Sequence, residues 1–216
     1  MATQDDNWFI EHFDSAGTAF GLRLKRKLEE ARTPYQHIEM WDTETFGYLM
    51  TIDGATMLTT RDNFLYHEMM AHPALFSHAG ATSVLIIGGG DCGTLREVLR
   101  HDGVAKAIQI DIDEQVTRFS EKYFPELCQS NDDPRAELRF EDGVKFMQEC
   151  EEGRFDVIIV DSTDPVGPAE GLFKAEFFEH CHRALAEGGV LVQQSESPLL
   201  HGDTIIRDLH ANMREA

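Results

Sequence analysis

Two aspartates stand three residues apart in the segment Asp161-Ser162-Thr163-Asp164-Pro165-Val166-Gly167-Pro168. Carboxylates in a short loop can face one cavity, where one acts as a general base and the other anchors a cation. The alternative is a turn that caps the following helix, and Asp161 lies too far upstream to be that cap. A second cluster is Gly88-Gly89-Gly90-Asp91-Cys92-Gly93, which matches G-x-G-x-x-G. Glycine at Gly88 and Gly90 permits a sharp turn and lets a ligand approach the backbone without meeting a Cβ. The motif serves dinucleotides and S-adenosyl compounds alike. Asp111 follows about 20 residues later, where a carboxylate can accept hydrogen bonds from both ribose hydroxyls. The site therefore reads as one for a nucleoside. Asp91 inside the loop would push against a pyrophosphate, and Asp161 and Asp164 share its rim. Acids in that number suit a ligand that is cationic and lacks phosphate, such as a sulfonium compound, better than NAD.

Two weaker signals accompany these. Glu141-Asp142-Gly143 can meet an adenine amino group or simply mark a turn. In Tyr66-His67-Glu68 the tyrosine hydroxyl can orient an amine, or the ring can serve only in packing.

The elements that must position these residues divide at about residue 62. Residues 1–62 alternate apolar and polar side chains, as in Phe20–Lys25, Tyr35–Met40, Gly47–Ile52 and Ala55–Leu58, and Asp53-Gly54 is a hairpin turn signal. They predict a small antiparallel β domain. Arg61-Asp62 opens a helix with Pro73 near its end. Residues 63–216 then alternate strands with helices: strands at 84–87, 107–111, 136–140, 155–161 and 190–194, with helices at 94–100, 114–123, 143–150, 174–186 and 202–214. Val84–Ile87 is apolar throughout, as a strand buried on both faces must be. The predicted fold is α/β, with a doubly wound, mainly parallel, Rossmann-like sheet of methyltransferase type.

Composition narrows the partners. Asp and Glu number 39 against 19 Lys and Arg, a net charge of −20, so phosphate backbones are repelled and nucleic acid is a poor partner. No apolar run approaches the ~20 residues of a membrane span, and the N-terminus has no secretory signal pattern. Cys92, Cys128, Cys150 and Cys181 fit neither a zinc spacing nor a disulfide scaffold, which suits reduced thiols in the cytoplasm. No metal site is expected from the scattered histidines.

The chain resembles bacterial spermidine synthases, the polyamine aminopropyltransferases. The resemblance rests on Asp53-Gly54, Arg61-Asp62, Tyr66–Met70, Leu85–Asp91, Leu95–Arg100, Asp111–Asp113, Asp142-Gly143, Asp161–Pro168 and Gln194–Pro198, in order along nearly the whole chain. It implies transfer of an aminopropyl group from decarboxylated S-adenosylmethionine, a co-substrate, to putrescine, giving spermidine and methylthioadenosine, with no cofactor or metal. Asp161 matches the proton acceptor and Tyr66 the tyrosine that orients the attacking amine. Trp8, His67, Asp91, Asp161, Ser162, Thr163 and Asp164 match polyamine contacts. Gln36, Asp111, Asp142, Gly143 and Pro168 match nucleoside contacts, together with the loop glycines Gly88 and Gly90. A homodimer or homotetramer is implied as well. Met57, Thr60 and Cys92 depart from the usual family residues, and relatives continue beyond the position of Ala216, so a strand edge is expected beside the fifth strand. An S-adenosylmethionine-dependent methyltransferase and a non-catalytic polyamine-binding fragment are the alternative readings.

Overall fold

The computed structural model describes residues 7–165, 167–195, 197–198 and 202–216; Val166 and Glu196, both within segments that carry the resemblance, lie outside the described residues. The chain forms two compact units, Met1–Phe64 and Leu65–Ala216.

The first unit is a five-stranded antiparallel meander of β1 (Trp8–Phe13), β2 (Thr18–Arg32), β3 (His37–Thr43), β4 (Tyr48–Ile52) and β5 (Ala55–Thr59). Alternation along β3 sends Ile38 and Met40 inward, where they are fully buried with Leu49 and Met50. Asp53 and Gly54 both adopt positive φ, 51° and 84°, and Ile52 pairs with Ala55, giving the tight two-residue hairpin that Asp-Gly signals.

Helix α1 (Asn63–Ser77), which runs through Pro73, leads into the second unit. That unit's parallel sheet has the order β10-β9-β6-β7-β8, with β6 (Ser83–Gly88), β7 (Lys106–Asp111), β8 (Ala136–Phe140), β9 (Phe155–Asp161) and β10 (Leu185–Gln193). The intervening helices are α2 (Gly93–Leu99), α3 (Glu114–Tyr123), α4 (Gly143–Glu149) and α5 (Ala175–Ala184), with α6 (Arg207–Glu215) last. Successive strand residues serve opposite layers. Val84, Ile86, Val157 and Ile159 pack with Met70, Leu95 and Val98 of α1 and α2. Leu85, Ile87, Ile158 and Val160 pack with Met147, Phe177 and Cys181 of α4 and α5. Both faces of the sheet are therefore covered, which explains the unbroken apolar run of β6.

The chain leaves β6 toward β7 and β8 on one side and returns to β9 on the other. This places a topological switch point between β6 and β9, and ligands of such sheets bind in the crevice beyond the strand ends there. Gly88 and Asp161 are register partners at that point. Two boundaries differ from expectation. The helix expected over 174–186 stops at Ala184, and Gly188-Gly189 lie inside β10. Leu185 already pairs with Phe155, and the ladder then skips to Val190, with Gly188 at φ 78° absorbing the irregularity. Among the described residues β10 pairs with β9 alone, so it forms an edge.

Candidate active site

The glycines of the loop are spaced by what lies against them. At Gly88 φ is 83°, and a Cβ would stand 2.0 Å from the Asp161 carbonyl oxygen; the Gly89 amide donates to that same carbonyl at 2.7 Å. Added Cβ atoms would meet Asp161 Oδ2 at 2.9 Å from Gly89, Asp111 Oδ2 at 2.7 Å from Gly90, and the His67 ring at 2.3 Å from Gly93. The loop thus folds directly onto the side chains that carry the chemistry.

Asp161 ends β9 and is only 8% exposed. The Tyr66 hydroxyl donates to its Oδ1, and the Thr94 hydroxyl donates to Oδ2 at 2.6 Å. Burial, and then the charge of Asp91, raise the Asp161 carboxyl above the ordinary range; His67 and the two hydroxyl donors oppose them without cancelling. Tyr66 is 37% exposed, and its hydroxyl is held by Asp161. Burial and the neighbouring Asp161, Asp91 and Asp164 charges push the phenol well above its usual value, so it remains a donor. His67, fully buried, faces Asp91 Oδ2 through Nε2 at 3.1 Å. Asp91 Oδ1 accepts from the Gly93 amide at 2.7 Å. Burial alone would raise Asp91, but His67 and that amide outweigh it and hold the carboxyl low, while Asp91 lifts His67 against its own burial.

Asp111 ends β7. Its Oδ1 accepts from the Asp113 amide at 2.8 Å, and burial pushes its carboxyl up to about 6. Asp113 caps α3 by accepting from the Gln115 amide at 3.1 Å. The structure thus brings together Tyr66, His67, Gly88, Gly90, Asp91, Asp111, Asp161 and Asp164, drawn from α1, the ends of β6, β7 and β9, and the loop after β9.

The remaining candidates fall elsewhere. Ser162 donates to the Thr163 carbonyl at 3.1 Å, and both are half-buried. Pro168 lies in a 3-10 turn over Gly167–Phe173. Asp142 is exposed and caps α4 with bonds from the Val144 and Lys145 amides at 2.8 and 3.3 Å; a Cβ on Gly143 would lie 2.5 Å from Ile87. Trp8 and Gln36 belong to the first unit. Trp8 is 46% exposed on β1, and Gln36 closes the β2–β3 turn by donating its amide to Thr33 Oγ1 at 3.2 Å. In the same unit Thr60 accepts from the Tyr48 amide at 3.1 Å, and Met57 is half-buried on β5.

Sequence reasoning missed Thr94 and Asp113. The signal for Asp113 was available, since an Asp before Glu114 is a good N-cap. Thr94 had no local signal, because its partner lies 67 residues away. Cys92 holds the left-handed conformation at φ 69°, buried, with Sγ 3.6 Å from the Gly90 carbonyl and from Gln109 Nε2. As to metals, Glu30, His37 and Glu39 are the one group among the described residues with ligand-like spacing, and the Lys27 ammonium already bridges the two carboxylates.

A switch-point glycine loop, an acid at the end of the next strand and a carboxylate-rich rim on a parallel sheet define a Rossmann-like protein of methyltransferase type. Residues 63–216 match the spermine/spermidine synthase domain, and residues 7–60 match the spermidine synthase tetramerisation domain. A polyamine aminopropyltransferase of Thioalkalivibrio sulfidiphilus is 63% identical over 213 residues, 98% of this chain and 74% of that protein. One from Methylococcus capsulatus is 60% identical over 210 residues, covering 97% and 73%. Among solved structures, a spermidine synthase in complex with the transition state analogue AdoDATO superposes with a TM-score of 0.91 at 36% identity, over 96% of this chain and 71% of that one. The spermidine synthase from Thermotoga maritima gives 0.89, also at 36%, over 96% and 70%. The chain belongs to the spermine/spermidine synthase family, the polyamine aminopropyltransferases.

Proposed function

We propose that the chain transfers the aminopropyl group of decarboxylated S-adenosylmethionine to putrescine, with Asp161 as proton acceptor. The observation that carries this is the pairing of Tyr66 with a buried Asp161 beside Asp91, at the strand ends where a nucleoside binds. An alkylammonium has a pKa near ~10, so at neutral pH its lone pair is blocked and it must lose a proton before it attacks. Asp161 attracts the cation and takes that proton, and a carboxyl held above its ordinary range is the better acceptor. The amine nitrogen then bonds to the methylene next to the sulfonium, the carbon–sulfur bond breaks, and methylthioadenosine departs as a neutral sulfide. Alignment of nitrogen, carbon and sulfur supplies much of the acceleration.

In this reading His67, Asp91, Ser162, Thr163 and Asp164 hold the diamine, and Asp161 receives its reacting end. Asp111, with Gly88 and Gly90 against the backbone, holds the ribose. Asp142, Gly143 and Pro168 approach the adenine side, and Trp8 and Gln36 take the roles that the family resemblance assigns them. The reaction needs no metal and no cofactor, because the sulfonium is already activated. The match of residues 7–60 to a tetramerisation domain supports a homodimeric or homotetrameric assembly. A cytoplasmic location fits four free thiols. Among the described residues no helix is long and apolar enough to cross a membrane.

The deciding experiment mixes the protein with putrescine and either decarboxylated S-adenosylmethionine or S-adenosylmethionine, and reads the products by mass spectrometry. Spermidine and methylthioadenosine from the first donor alone are expected. A methylated amine from the second, or no product from either, would overturn the assignment.

A further inference from the structure

Tyr66 and Thr94 divide the two oxygens of Asp161 between them. Tyr66 approaches Oδ1 from α1 and is itself partly exposed. Thr94 approaches Oδ2 at 2.6 Å from the first turn of α2 and has no exposed surface. Gly89 closes over the same Oδ2, where a Cβ would stand at 2.9 Å. Oδ2 is therefore walled in, and Oδ1 is the oxygen on the substrate side. We infer that Thr94 is a positioning residue that fixes the Asp161 carboxylate in this orientation and keeps its buried oxygen satisfied through both protonation states.

The hydroxyl donates to Oδ2 of the carboxylate before the reaction, and goes on donating to it once Oδ1 carries the proton and Oδ2 is the carbonyl oxygen of the acid. Without it, a buried carboxylate oxygen has no donor, and the charged form loses more than the neutral form. The other charged or titratable groups around Asp161 are Tyr66 and His67 on α1, Asp91 in the glycine loop and Asp111 at the end of β7; Asp164 bears on Tyr66, and Arg96 of α2 bears on His67 and Asp91. None of these supplies a donor at Oδ2.

The catalytic consequence rests on the aminopropyl-transfer reading, but the electrostatic one can be read without turnover. Thr94→Val keeps the branched shape and removes only the hydroxyl. In this chain, the acid limb of kcat against pH should move upward by about one to two units, the change expected from losing a hydrogen bond to a charged group. At a pH on that limb kcat should fall about tenfold, with the KM for putrescine changed less than about twofold, and Thr94→Ser should restore both. Independently, the Asp161 carboxyl resonance, assigned with Asp161→Asn in 13C-aspartate-labelled protein, should titrate at higher pH in Thr94→Val than in the parent. Thermal melting checks that the variants fold, and Thr94→Ala repeats the comparison should valine not be tolerated. A resonance that titrates identically with and without the hydroxyl overturns the inference. An inactive parent protein whose Asp161 titration still responds to Thr94→Val overturns the proposed reaction and leaves the positioning role standing.

Discussion

His67 Nε2 stands 3.1 Å from Asp91 Oδ2, and the histidine has no exposed surface. The pair holds opposite shifts, with His67 raised and Asp91 lowered from ordinary values of 6.5 and 3.8. A raised histidine contributes stability that is complete below its unfolded pKa and is lost as pH rises through the folded one. A lowered carboxyl contributes stability that is present above its unfolded pKa and is lost as pH falls through the folded one. The contribution of the pair is therefore greatest between about pH 4 and 6.5. Asp91→Asn should lower stability there by about 1–3 kcal/mol, the cost of leaving a buried polar group poorly paired. Urea-denaturation midpoints from pH 4 to 9 test this: the difference between variant and parent should shrink toward the alkaline end. A constant difference would remove the charge from the explanation.

Asp161 and Asp164 should separate kinetically although they lie three residues apart. Asp161→Asn keeps the shape and an acceptor for Tyr66 but cannot take a proton, so kcat should fall by at least ~10²-fold. Asp164→Asn removes an anchor for the distal ammonium, raising the KM for putrescine with little change in kcat. Steady-state formation of methylthioadenosine measures both. Near-normal turnover by Asp161→Asn would end its assignment as the base.

On the proposed reading, Asp111 should couple nucleoside binding to pH. Its carboxyl is held at about 6 by burial, so below that value it carries a proton in the empty site. Ribose hydroxyls that donate to it favour the charged form, so binding should release a proton and tighten as pH rises toward 7. Methylthioadenosine titrated calorimetrically at pH 6 in two buffers of different ionisation enthalpy should show that release. Asp111→Asn should weaken binding about tenfold or more and abolish the buffer dependence.

Much of this arrangement was legible before any coordinates, and the limits have physical causes. Helix 114–123 and strands 136–140 and 155–161 fall where the pattern puts them, and β9 is legible because Val157–Val160 is an unbroken apolar run. The helix expected over 174–186 overruns its true end at Ala184 because Gly188 and Gly189 look like a helix terminus. Only the pairing of Leu185 with Phe155 makes them strand. Within the site, Asp111 and Asp161 are legible at strand ends and Asp91 within the glycine loop. Asp142 offered two readings, and its side chain is seen as a helix cap. Thr94 could not be found, since its role exists only once β9 lies beside β6.

Gly93 provides a severe steric test against a side chain. The loop motif calls for glycine there as a backbone requirement, yet the pressing reason is a side chain: a Cβ would sit 2.3 Å from the His67 ring, closer than any real contact. That ring is fully enclosed and tied to Asp91, and it belongs to a helix whose Met70 and Ala74 are packed into the core. It cannot swing away as an exposed side chain would. Gly93→Ala should therefore break the His67–Asp91 pair and lower stability by about 1–3 kcal/mol through overpacking, despite the better helix propensity of alanine at the start of α2. The double variant Gly93→Ala with His67→Ala, which removes the ring, should melt no lower than His67→Ala alone, because the clash has gone, and should still lack amine affinity. Retained amine affinity would mean that His67 takes no part in holding the diamine, and melting well below His67→Ala would place the strain in the backbone of the loop.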